Sequence, residues 1–156
     1  MQTCSERSES IPLVDLKKQY FSIKDEIDLA VKRVLESGHF ILGNEVLSLE
    51  REVAEYIGVK HAIGVASGTD ALHLSLLAYG IGEGDEVITT PFTFIATAEA
   101  ISYCGAKPVF VDIDINSYNI DPSKIEDKIT KKTQAIIPVH MYGHAAGMDE
   151  ILEIAK

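Results

Sequence analysis

The chain has 156 residues, 46% of them hydrophobic, and a formal net charge of −10. That composition suits the core of one ordinary domain and excludes a disordered tail. The acidic balance excludes a surface built for nucleic acid or anionic membrane, because neutralising phosphates takes clustered Lys and Arg.

Any phosphate bound here must therefore be held locally, by backbone and hydroxyl groups. Cys4 and Cys104 are too few and too scattered for a disulfide framework or a zinc site, which points to a reducing compartment. The opening residues "MQTCSERSES" are polar and no later run approaches the ~20 apolar residues of a membrane span, so the expected location is the cytoplasm.

Residues 1–10 read as a flexible N-terminal tail, and residues 11–60 as a helical segment. Ser22 stands three before Asp25, an approximate capping box, and Ile23, Ile27, Ala30, Val31, Val34 and Leu35 follow at helical spacing. Ser37-Gly38 stops that helix. After the apolar "HFILG", Asn44 is placed to cap a second helix carrying Val46, Leu49, Val53 and Ile57, which Gly58 ends.

From residue 61 the pattern becomes β-α repeated four times. Apolar runs of strand length (61–66, 86–90, 108–112, 134–139) alternate with helical patterns (70–79, 95–104, 122–130, 148–155). Strands this apolar predict an α/β fold, a mostly parallel sheet with helices on both faces. Asp121-Pro122, an N-cap followed by proline at the first helical position, supports the third of those helices. The final "MDEILEIAK" reads as two helical turns without a stop signal, so the expectation is a chain cut inside its fold.

One turn raises a chemical question. The apolar run Ala62 to Ala66 ends at Ser67-Gly68-Thr69-Asp70, and a helical pattern starts at once. The free N–H groups of a helix's first turn make an anion site; Gly68 lets a phosphate approach, and Thr69 can add a hydroxyl. Taken alone the signal is weak and Ser-Gly-Thr-Asp reads first as an ordinary turn and N-cap, and it is neither a dinucleotide glycine motif nor a P-loop. One β-α unit on, "TTPFTFIATAEA" places Phe92 and Phe94 after a strand broken by Pro91. In a parallel sheet Phe94 could stand beside the phosphate turn and stack on a flat cofactor ring, or both could be core side chains.

The string "VASGTDALHLSLLAYGIGEGDEVITTPFTFIATAEAISYCGAKPVFVDID", with "SGHFILGNEV" before it and "AIIPVHMYGHAAGMDEI" after it, strongly resembles sugar aminotransferases of the DegT/DnrJ/EryC1/StrS type. The resemblance runs from about Ile11 onward and covers about the first two fifths of such an enzyme. It implies the N-terminal part of the large domain of a fold-type-I transferase, with residues 61–156 an incomplete domain that binds pyridoxal 5'-phosphate. By that resemblance Thr69, with backbone N–H groups around Gly68 and Asp70, would bind the cofactor phosphate, and Phe94 would stack on the pyridine ring. The Ser37–Gly43 segment resembles the family's loop near the active site and the dimer contact, with Phe40 and Gly43 as its residues of interest. Where the family commonly has an acidic residue before Met148, this chain has Gly147, which implies a weaker helix cap.

Transamination needs a lysine to hold the cofactor as a Schiff base and a carboxylate to keep the pyridine nitrogen protonated. The resemblance puts both beyond the last residue of this chain, so no catalytic residue is assigned within it. Lys124, Lys128, Lys131, Lys132 and Lys156 read as solvated charges. His140 and His144 have an i, i+4 spacing, but Pro138 and Gly143 place them on a strand end and turn, so no metal site is expected. Asp112 and Asp114 read as loop carboxylates exposed beyond a strand rather than an acid/base pair.

The reading is thus the N-terminal part of a pyridoxal-phosphate-dependent aminotransferase acting on a nucleotide-linked keto-sugar for amino-sugar or polysaccharide biosynthesis. Glutamate or a similar donor would load the cofactor as pyridoxamine phosphate, the full-length enzyme would be a homodimer, and this chain alone would be inactive. Two alternatives stay open: a pyridoxamine-phosphate-dependent sugar dehydratase of the same superfamily, and a non-catalytic α/β module that binds a phosphate ligand.

Overall fold

The computed structural model describes residues 12–156; the tail expected over residues 1–10, with Cys4, lies outside the described residues. Two compact units divide the chain, the first ending at Gly64 and the second running from Val65 to Lys156.

The first unit is helical: α1 (Leu16–Ser22), α2 (Lys24–Ser37) and α3 (Asn44–Ile57). The expected capping box at Ser22 does not form. Asp15 caps α1 by accepting from the Lys18 N–H at 2.9 Å, and Ser22 ends α1 with its hydroxyl donating back to the Gln19 carbonyl. A serine that can bond its own preceding turn is drawn away from capping the next helix. Asn44 likewise lies inside α3 rather than capping it; Gly43 is the cap. A Cβ on Gly43 would sit 2.9 Å from the His39 carbonyl oxygen, so only glycine fits there. The stops at Gly38 and Gly58 are as expected, both left-handed at φ 68° and 78°.

The second unit holds α4 (Gly68–Ala78), β1 (Glu86–Thr89), α5 (Ala96–Tyr103), β2 (Lys107–Phe110), β3 (Thr133–Ile136) and α6 (Met148–Ile154). The strands form a parallel sheet in the order β2-β1-β3. Being central, β1 is buried on both faces, and its alternating side chains divide the core in two. Val87 joins Leu76 of α4 and Ala100 and Ile101 of α5 on one face. Ile88 joins Val111, Ile120, Ile125 and Ile151 of α6 on the other. Helices on both faces are therefore as the strand pattern predicts, while β2 and β3, paired on one side only, remain half open.

Two expected elements differ. Residues 61–66 pair with no strand among the described residues; the Gly64 N–H donates to Glu50 Oε1 of α3 at 2.7 Å, and Ile63 is exposed. An apolar run becomes a strand only when a neighbour accepts its ladder. The helix expected over 122–130 is instead two 3-10 turns, Pro122–Lys124 and Glu126–Lys128. Only Ile125 there is buried, so the segment lacks the apolar stripe that would hold a full α-helix.

Candidate active site

The Ser67–Asp70 turn opens α4. Ser67 is extended and its Oγ accepts from the Asp70 N–H at 3.1 Å, while its carbonyl accepts from the Ala71 N–H. That leaves the Gly68 and Thr69 N–H groups without a partner among the described residues, as the start of any helix leaves its first donors. The space where a Cβ on Gly68 would lie is open, with nothing within 4 Å. The turn thus offers an anion two backbone donors, the hydroxyl of a half-buried threonine and the positive end of a helix dipole. The Asp70 N–H, expected to join the cradle, is already held by Ser67.

Phe94 lies one β-α unit on, just before α5, and its carbonyl accepts from the Thr97 N–H. The residue is 78% exposed. The loop that carries it is anchored beneath: Thr89 and Thr90 are fully buried, Thr89 Oγ1 donates to the Ile137 carbonyl, and Thr90 Oγ1 accepts from the Phe92 N–H. A shared hydrogen bond between Thr93 and Thr97 at 2.9 Å fixes the start of α5. The chemistry available is that of a ring platform and an anion cradle, and these residues fit a flat phosphorylated cofactor.

Phe40 and Gly43 belong to the first unit, in a cleft of about 410 Å³ lined by Arg33, His39 and Glu45 among others. Phe40 is exposed, and Leu42 beside it is held at a positive φ of 49°. Such backbone strain concentrates in loops with a binding role.

The other polar groups are engaged locally. Asp114 accepts from the Ser117 and Asn116 N–H groups, which hold its carboxyl below the usual carboxylate range. Asp112 accepts from the Ile113 N–H. His140 Nδ1 accepts from the Ala146 N–H, and His140 and His144 bracket a 3-10 turn, Met141–Gly143. Lys124 pairs with Asp121 and Lys156 with Glu153, while Lys128, Lys131 and Lys132 are exposed. Gly147 precedes α6 with no side-chain cap, as its residue type implies.

Sequence reasoning missed Asn119, Tyr118 and Tyr142. Asn119 is 2% exposed and ties two loops together, and both tyrosines have positive φ. The available signal was an aromatic residue in the loop after each strand.

A family model matches residues 21–156. The chain belongs to the DegT/DnrJ/EryC1/StrS aminotransferase family. It is 52% identical over 146 residues to the UDP-2-acetamido-2-deoxy-3-oxo-D-glucuronate aminotransferase of Pseudomonas aeruginosa, covering 94% of this chain and 41% of that protein. It is similar to S. venezuelae DesV, solved in complex with a ketimine intermediate, at TM-score 0.90 and 46% identity, over 93% of this chain and 39% of that one. Bacillus subtilis NtdA with bound cofactor PMP matches at TM-score 0.89 and 35% identity, over 94% of this chain and 34% of that one. This member of the family thus spans about two fifths of the relatives' length.

Proposed function

We propose that this chain supplies the phosphate cradle and ring platform of a pyridoxal-phosphate-dependent aminotransferase that transfers an amino group to a nucleotide-linked keto-sugar. The observation that carries this is the pair of N–H groups at Gly68 and Thr69, unpartnered among the described residues, beside a Gly68 whose Cβ position is open, in a chain of this family. When bound, the cofactor supplies an electron sink for the carbon bearing the amino group. The chain's own residues bind and orient it: Gly68 and Thr69 hold the phosphate, and Phe94 supports the ring from one face.

Residues 61–156 are read as the cofactor-binding domain and residues 11–60 as a helical segment whose Ser37–Gly43 stretch, with Phe40 and Gly43, is the substrate and dimer loop. Glutamate as donor, a homodimeric complete enzyme and a cytoplasmic location belong to the same reading. Among the described residues no helix is long and apolar enough to cross a membrane. The test is to supply the complete protein with pyridoxal phosphate, glutamate and a panel of nucleotide-linked keto-sugars. The expected result is an amino sugar with stoichiometric 2-oxoglutarate; cofactor binding without amino transfer to any of them would overturn the assignment.

A further inference from the structure

Three aromatic rings meet beyond the carboxyl ends of the three strands, one from each following loop. Phe92 follows β1, Tyr118 follows β2 and Tyr142 follows β3. The Phe92 and Tyr118 centroids are 5.9 Å apart at 33°, and those of Tyr118 and Tyr142 are 6.4 Å apart, edge to face at 78°.

Both tyrosines lie in the left-handed region, at φ 60° for Tyr118 and 54° for Tyr142. Bulky residues adopt that conformation only when the surroundings impose it. At Tyr142 the neighbour is Asn119, whose Nδ2 donates to the His144 and Ala145 carbonyls at 3.0 and 3.2 Å and whose Oδ1 accepts from the Met141 N–H at 2.8 Å; at Tyr118 the residue's own N–H donates to the Asp114 carbonyl at 2.9 Å. The loop is thus pinned on both sides of Tyr142. Burial does not explain the arrangement, since Tyr142 is 81% exposed. Ligands of open parallel sheets collect outside the carboxyl ends of the strands.

We propose that the Phe92, Tyr118 and Tyr142 rings form the shelf on which the nucleobase of the nucleotide-linked substrate stacks. This rests on the nucleotide-sugar reading above. The diphosphate is a poorer fit, because residues 90–95, 111–121 and 137–147 contain no Lys or Arg and the second loop carries Asp112 and Asp114. The hydroxyl-rich sugar is also a poorer fit, because Asn119 and the carbonyls beside it are already hydrogen-bonded. A flat neutral base needs only ring faces, and stacking tolerates a range of bases.

The experiment is calorimetric titration of UDP, dTDP and GDP into the complete protein, with pyrophosphate as the probe lacking a base. In Tyr142→Ala the preferred diphosphate should bind about tenfold more weakly, with pyrophosphate unchanged. Tyr142→Phe should bind it nearly as the parent does. Tyr142→Gly, which removes the ring while relieving the left-handed strain, should match the alanine variant and so separates ring loss from misfolding. Equal affinity in parent, alanine and glycine variants would overturn the shelf and leave the aminotransferase reading standing. A parent protein that binds none of the three would overturn both. Unchanged affinity with a shifted oligomeric state would make the rings an interface between copies, and the inference would fall.

Discussion

Thr69 occupies the second position of α4, half-buried, with its N–H unpartnered among the described residues, and it follows Gly68, whose Cβ position is open. Substituting Thr69→Val keeps shape and volume but removes the hydroxyl. Cofactor retention in the complete protein should weaken by about 1–3 kcal/mol, the cost of leaving a charged acceptor one donor short. Equilibrium dialysis against pyridoxal phosphate measures it, and undiminished retention would remove Thr69 from the site. The turn and the helix it opens were legible in the residues, as a small, hydroxyl-bearing stretch between an apolar run and a helical pattern. The split of its donors was not: whether Ser67 caps Asp70 depends on side-chain geometry that spacing leaves open.

At the level of elements, β1 is where the second unit is joined. Glu86, at its first position, is buried; Thr130 Oγ1 donates to one carboxylate oxygen at 2.7 Å and Lys107 Nζ lies 3.1 Å from the other. These two partners, the Thr130 hydrogen bond first, hold the Glu86 carboxyl below its ordinary value of 4.5. Since the folded carboxyl ionises at lower pH than the unfolded one, its stabilisation is complete above 4.5 and is lost as pH falls through the lowered value. Glu86→Gln should therefore flatten the acid limb of the stability curve below that point, as denaturant midpoints across the acid range would show. An acid limb of unchanged slope would mean that Glu86 titrates alike in both states.

The elements that departed from their patterns did so for a common reason. Residues 61–66 have the composition of a strand but no ladder partner among the described residues, and 122–130 have a cap and a proline but one buried side chain. Propensity proposes an element, and packing decides whether it forms.

Across the whole molecule, large apolar side chains remain in solvent: Ile41 at 85%, Tyr56 at 89%, Ile63 at 80% and Phe94 at 78%. Among the described residues the sheet has three strands, so β2 and β3 each present an unpaired side there. Expressed alone, the 156-residue chain should self-associate or require a partner. Light scattering during size exclusion tests this; a monodisperse monomer with sharp, reversible thermal unfolding would contradict it.

What the sequence by itself determined is the family, the α/β class, the Ser67–Asp70 turn that opens α4 and the two glycine helix stops. Each is carried by local features, a motif in order or a residue whose backbone freedom leaves one choice, and local features survive without knowledge of neighbours. Tertiary structure alone decided that β1 is the strand buried on both faces and that Asn119 pins two loops. It alone brought Phe92, Tyr118 and Tyr142 together. Those outcomes depend on contacts between residues about 20 to 50 positions apart, and no periodicity in one chain records which distant groups will meet.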